Sequence, residues 1–490
     1  MPETPTAETA PATVKFPHRS RRGILAGLTL PQLVVTALAG TLLLAVLYTR
    51  GVTGALTLTP LWAGVAVIVL VRRGGRTLAE WAPIVVRYQL RRMRGQLLWL
   101  VRPSRRPVRE GLLHLPGTAA SLRVVTAPDR RYAAVHDPHA LTLTAVVKVS
   151  AHAYALLDPG TQSANVHGWG RALAALARTG QVARIQVIER TVPDSGDALR
   201  RYWQQHGHPD APLAGPLYAE LVENAGPAAA PHEAYVAVAL DLKAARRLIN
   251  QAGGGLAGAF SVLAQLTSAF DQAVRAGGLT PAGWLSAEEI AAVVRTAYDP
   301  GALAGLERWS DAGRAQAAPS AAGPVVVVEK AGHIATDSAV HTTYWVENWP
   351  RTETSAGFLH QLLFATGVRR TLSLSYAPQS LDAALRDVQR KKASVIADAA
   401  ERARRGQVDS EADGIEYQDI KVRERQLIAG HADIALTGLL TVSADTEEQL
   451  RSACAVVETA AVGAQLDLRQ LTWQQAEAFT AAALPLALAS

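Results

Sequence analysis

The alternation of apolar and polar positions divides the chain into two unlike parts. From Gly23 to Thr49, and again from Gly51 to Val71, no side chain is charged, and only Arg50 separates the two runs. About 20 apolar helical residues cross a bilayer core of roughly 30 Å, so each run is long enough for one crossing. The link between them is too short to form a domain. The pattern therefore predicts a transmembrane α-helical hairpin over residues 23–71, with both ends on one side. Pro31 and Pro60 fall near the helix starts, where a missing N–H does least harm.

Beyond the hairpin the periods change. Leu78 to Val101 places Val86, Leu90, Met93 and Leu97 at 4–3–4 spacing, beside Arg87, Arg91, Arg92 and Arg94. Trp81, Tyr88 and Trp99 add rings suited to the headgroup level. This predicts one amphipathic helix lying on the inner leaflet, with Arg87, Arg91, Arg92, Arg94, Trp81 and Trp99 as membrane-surface residues. Pro103 and Pro107 then end it.

Residues 111–490 mix the two periods. Strands are expected at Leu122–Thr126, Tyr132–Val135, Leu141–Val149, Arg184–Val192, Ala234–Leu242, Val325–Glu329, Val340–Glu347, Arg369–Pro378, Ala432–Ala444 and Gln465–Leu468. Helices are expected at Ser163–Arg178, Asp197–Gln205, Leu213–Asn224, after the Gly253-Gly254-Gly255 break to about Arg275, Gly357–Thr366, Ser380–Arg405, Asp419–Ile428, Thr446–Ala461 and Trp473–Ala482. Strand–helix–strand across Asp433 to Leu468 has the form of a split βαβ, ferredoxin-like unit. The fold class expected is a transmembrane hairpin followed by a cytoplasmic α+β body of small, helix-covered sheets containing ferredoxin-like subdomains. Its parts are a basic tail (1–22), the hairpin (23–71), a basic juxtamembrane helix and linker (72–110), and two α+β segments (111–350 and 351–490).

Charge adds orientation. The chain carries a net +7. Residues 1–110 hold 16 basic and 4 acidic side chains, a net +12, and the remaining 33 basic and 38 acidic give −5. Lys and Arg cluster beside span ends on the cytoplasmic side, so tail and body are both expected in the cytoplasm of a multi-pass inner-membrane protein. The basic surplus sits where anionic headgroups would be, and no direct nucleic-acid binding is expected. A single cysteine, Cys454, rules out a disulfide framework.

Catalytic chemistry is hard to place. Gly-x4-Gly-Lys-Ser/Thr occurs nowhere, so Val325–Glu329 reads as an ordinary strand ending at solvent rather than part of a nucleotide site. His136-x-x-His139 and His206-x-His208 read as turns, and no Gly-x-Ser-x-Gly elbow is present. No catalytic residue, metal site or cofactor is assigned, and the chain is not expected to be an enzyme.

Several segments carry a resemblance. The hairpin followed by Gly75-Arg76-Thr77-Leu78-Ala79-Glu80-Trp81 resembles PrgI-like inner-membrane subunits of conjugative transfer systems. Four further stretches resemble the N-terminal, non-ATPase domain of TraC/TrbE conjugation ATPases. They are Trp349-Pro350-Arg351, the charged helix after Tyr376, Gly430-His431-Ala432 leading into TGLLTVSA, and LTWQQAEAFTAAALPLA near the end. The combination is similar to actinobacterial integral-membrane proteins of conjugation-like (type IV) secretion loci. It implies an inner-membrane scaffold, oligomeric with other channel subunits, that docks a separately encoded ATPase. Trp473, Phe479 and Leu484 are the expected partner anchors. The two-span start and the segment from Gly253 through Glu289 also resemble EccE, a type VII secretion membrane subunit, which is the alternative reading. A membrane-tethered enzyme is a third.

Overall fold

The computed structural model describes residues 13–14, 16, 30–73, 75–101, 110–150, 157–192, 197–225, 231–311, 318–350, 352–404, 411–429 and 432–488. The Pro103–Pro107 linker and most of the basic tail lie outside them.

The apolar stretch is helical from Leu30 to Thr57 and again from Thr59 to Leu70. Pro31–Thr57 is long and apolar enough to cross a membrane, and 6% of its most apolar window is buried inside the chain. It is therefore not a core helix of the body. At 12 residues, Thr59–Leu70 alone is shorter than a straight crossing needs. Gly51 interrupts the first helix with φ 65° and ψ −165°, a left-handed backbone that glycine adopts without steric cost. Gln32 Nε2 donates to the Val69 carbonyl at 2.7 Å, so the start of the first helix lies beside the end of the second.

The basic helix that follows, Leu78–Met93, opens with a capping box in which Glu80 accepts from the Thr77 N–H. It stops at Met93, eight residues earlier than its apolar spacing predicts. Gly95 takes φ 66°, and Leu98–Leu100 becomes a strand paired with Val326–Val328.

That strand is one edge of a 13-stranded sheet that replaces the several small sheets expected. From this edge the order is Leu98–Leu100, Val326–Glu329, Ile334–Ala335, Val340–Asn348, Asp433–Ala444, Arg369–Gln379, Val182–Thr191, His232–Asp241, Thr142–Ser150, Ala133–Asp137 and Arg123–Thr126. Thr280–Trp284 shares the outer edge of Thr142–Ser150, and Asp467–Gln470 that of Val340–Asn348. Every pairing is antiparallel.

The order contains a repeat. In residues 123–284 a hairpin leads into strand–helix–strand–strand–helix–strand, with the last four strands arranged fourth, first, third, second. Residues 326–470 repeat the hairpin and the same arrangement. The two repeats join through their second strands, with Ile185–Arg190 against Thr371–Tyr376. Strand Val340–Asn348 is the first strand of the second repeat, although the sequence groups it with the segment ending at 350. Each repeat inserts a helical arm between its second and third strands: Asp197–His206 with Ala214–Ala225, and Leu381–Arg404 with Glu411–Ile428.

Both sheet faces are covered. Val236, Val238 and Leu240 pack with Phe260, Leu263 and Phe270 of helix Gly255–Ala276, while the alternate residues Tyr235, Ala237 and Ala239 share a core with Ile290, Val294 and Tyr298 of helix Ala287–Tyr298. In the second repeat, Leu440 and Val442 pack beneath Leu450 and Val457 of helix Glu447–Gly463. The helix expected at Gly357–Thr366 is four residues long, His360–Leu363.

A segment from before the apolar helices reaches the body. Thr13–Val14 pairs with Thr354–Ser355, and the Phe16 ring stacks on Trp349 at 4.9 Å and meets Phe358 edge-on at 5.4 Å.

Candidate functional site at the junction of the basic helix and the body

The last described segment works as a strap. Helix Gln475–Ala483 lies on a row of buried polar side chains that crosses four adjacent strands: Gln186, Ser373, Thr441 and Thr343. Backbone amides need partners when buried, and two glutamines supply them. Gln475 Oε1 accepts from the Thr343 N–H at 2.8 Å and its Nε2 donates to the same residue's carbonyl at 3.2 Å. Gln186 Nε2 donates to the Ala481 carbonyl at 2.9 Å, and its Oε1 accepts from the Ala487 N–H at 2.7 Å. Gln186 belongs to the first repeat and Thr343 to the second, so the strap staples both.

Phe479 and Leu484, expected at a partner interface, are buried beneath it. The Phe479 ring stands 5.0 Å from Tyr298 and 4.5 Å from His341, and Phe479 and Leu484 share a core with Tyr298. Trp473 is half-buried and donates its N–H to the Ala331 carbonyl at 2.7 Å. Phe479 and Leu484 close the protein's own core, whereas Trp473 lies at its margin. His341 is enclosed with them: its Nδ1 pairs with Ser443 Oγ at 2.8 Å and its Nε2 with Thr336 Oγ1 at 3.0 Å. Burial lowers its pKa to about 3, and Arg369 adds to the effect.

The strap also holds the basic helix. Trp81 meets Trp473 edge to face at 5.3 Å, Arg87 pairs with Glu477 at 2.5 Å, and Arg91 pairs with Glu329 at 2.6 Å. The Glu329 side chain is 1% exposed and also accepts from the Ala476 N–H at 3.2 Å. Strand Val326–Glu329 thus ends in a buried ion pair, not at solvent. Burial pushes the Glu329 carboxyl above the usual range, while Arg91 and the Ala476 N–H pull it back.

The residues assigned to the membrane surface therefore separate. Arg87 and Arg91 turn toward the body. Trp99 sits on the edge strand opposite Val327 and packs against the central core. Arg92 and Arg94 are exposed, and no described acidic side chain pairs with them. The sequence contained no local sign of this split, because Glu329, Trp473 and Glu477 are all more than 200 residues away.

An open cleft of about 330 Å³ lies elsewhere in the second repeat, lined by His333, Tyr344, Glu447, Cys454, Glu458 and Gln470, among others. The Tyr344 hydroxyl donates to Glu458 at 2.9 Å, and burial raises the Cys454 thiol. A protonated, half-buried thiol is a poor nucleophile. Among the described residues no group of three or more His, Cys, Asp and Glu side chains is placed to hold a metal ion. Asp137 Oδ1 accepts from the His139 and Ala140 N–H groups, an ordinary turn.

No protein-family model matches the chain, and no curated protein is significantly similar to it.

Proposed function

We propose that this chain is an inner-membrane scaffold subunit of a conjugation-like (type IV) secretion apparatus, which holds a separately encoded ATPase and performs no catalytic step of its own. The observation that carries the reading is the strap. The segment that resembles the region ahead of a conjugation motor fastens both repeats and grips the basic helix next to the apolar helices. Such a path transmits force between a motor on the body and the membrane.

In this reading each repeat is a ferredoxin-like unit, supported by the fourth–first–third–second strand order with two crossover helices. The apolar region spans twice, from residue 31 to 50 and from 52 to 70, with the reversal at Gly51. Three observations support that reading: the left-handed Gly51, the Gln32–Val69 hydrogen bond, and the pairing of Thr13–Val14 with Thr354–Ser355. The last places residues before and after the apolar region side by side, which an even number of crossings permits and a single crossing forbids. The body then faces the cytoplasm with the arginine-rich segment.

Because Phe479 and Leu484 are enclosed, the ATPase is held by surface outside the strap. Affinity purification of the full-length chain in mild detergent, from cells that encode the neighbouring secretion ATPase, should recover that ATPase, and the purified chain alone should not hydrolyse ATP. Absence of the ATPase from the eluate would overturn the scaffold assignment, and so would ATP turnover by the chain alone.

A further inference from the structure

The basic helix has a second face that no described residue covers. Residues 79, 83, 86, 90 and 93 follow one another at 4–3–4–3 spacing and so share one stripe. At its start Ala79 is buried, and the helix packs against both apolar helices. Further along, Val86, Leu90 and Met93 are 56%, 46% and 82% exposed. On the edge strand, with Trp99 turned into the core, Leu98 and Leu100 alternate with it and are 57% and 58% exposed. An uncovered edge strand with outward leucines invites aggregation unless something occupies it.

The geometry points to one occupant: Val86, Leu90, Met93, Leu98 and Leu100 form a shelf that seats in the acyl–headgroup boundary of an anionic bilayer. The inference rests on the membrane reading above and narrows it to a face. Three features select lipid over a protein partner. The helix that carries the stripe packs against both apolar helices. The exposed Arg92 and Arg94 flank Met93 at its end and supply positive charge suited to anionic headgroups. A neighbouring face is already committed, through Trp81, Arg87 and Arg91, to the body. An interfacial helix buries its apolar side by roughly 5–10 Å, enough for these side chains while the body stays in water. The edge strand would then be shielded by the membrane itself.

Spin-label accessibility tests this in the intact protein. In the full-length Cys454→Ser protein, reconstituted in nanodiscs containing phosphatidylglycerol, single labels are placed through Leu42→Cys, Leu90→Cys, Met93→Cys, Leu98→Cys and Ala140→Cys. Labels at 90, 93 and 98 should relax more with oxygen than with a water-soluble nickel chelate, as at 42, and the ratio should reverse at 140. Raising the phosphatidylglycerol fraction should deepen the label at 93. If 90, 93 and 98 follow 140 while 42 stays in lipid, the shelf is wrong and the span stands. Shielding of these three labels from both reagents would mean a protein covers the face and would equally overturn the proposal. A label at 42 that behaves as aqueous would remove the membrane reading and the shelf with it.

Discussion

The two repeats share a strand order and fill it differently. In the first, the crossover helix runs 20 residues, Pro159–Arg178, and presses on helix Gly255–Ala276 through glycine: a Cβ on Gly168 would lie 2.3 Å from the Gly277 Cα. In the second, the corresponding helix has four residues, and aromatic rings fill the space beside it. Trp349 settles over Gly438, whose missing side chain makes room, and Phe16 stacks on Trp349 from outside the repeat. The arms differ as well. The first exposes Leu213, Leu217, Tyr218 and Leu221, whereas the second has its own core of Val388, Val395, Ile420 and Leu427, with Arg423 bridging Asp387 and Asp433. A common sheet thus tolerates different fillers, and the second repeat uses one supplied by the segment ahead of the apolar helices. That ties the segment ahead of the apolar helices to one repeat in particular.

The largest way to break the comparison is to remove what the repeats share. Phe479→Ala empties a fully enclosed site between Tyr298 and His341 and should cost about 3–5 kcal/mol. Denaturant unfolding should show one transition at a lower midpoint, with both repeats lost together. Separate loss of the second repeat would mean the strap does not couple them.

Acid should act at the same place. The folded pKa of His341 lies below its unfolded value, so the neutral ring contributes stability that is present above about pH 6.5 and lost as pH falls toward 3. This one group should cost about 2 kcal/mol at pH 5. His341→Gln, compared with the parent protein from pH 7 to 5, should flatten that difference.

Gly168→Ala sharpens the contrast from the other side. Its new methyl meets backbone rather than a flexible side chain, so about 1–3 kcal/mol is expected. Hydrogen exchange should quicken in helices Pro159–Arg178 and Gly255–Ala276 and stay unchanged in Glu447–Gly463. The smallest effect belongs to Phe16→Ala. Loss of its stacking, about 1 kcal/mol, should open the tail to protease without changing the first repeat.

Much of the body was legible because its signals are local. Ala432–Ala444 and Ala234–Leu242 read as strands and form as Asp433–Ala444 and His232–Asp241, and the charged helix Ser380–Arg405 carries i,i+4 pairs, of which Asp387–Lys391 forms at 3.1 Å. Helix Ala287–Tyr298 carried a capping box, Ser286 with Glu289, that marks its start and was open to reading. What stayed hidden was non-local. Leu97-Leu98-Trp99-Leu100 suits a helix end as well as a strand, and the choice is made by Val326–Val328, far along the chain. Phe479 and Leu484 looked like partner anchors because an exposed apolar residue and an enclosed one are the same letter in sequence. The junction itself depends on Arg91 meeting Glu329, which no spacing rule encodes.

The central claim is that the apolar region turns back at Gly51, so that tail and body share one side of the membrane. Single cysteines at Thr13, Thr53 and Ala140, placed in the full-length Cys454→Ser chain and treated in intact cells with an impermeant maleimide, test it most directly. The account predicts that only Thr53→Cys reacts from outside, and that the other two react after permeabilisation. Labelling of Thr13→Cys from outside while Ala140→Cys stays protected would show a single crossing and contradict it.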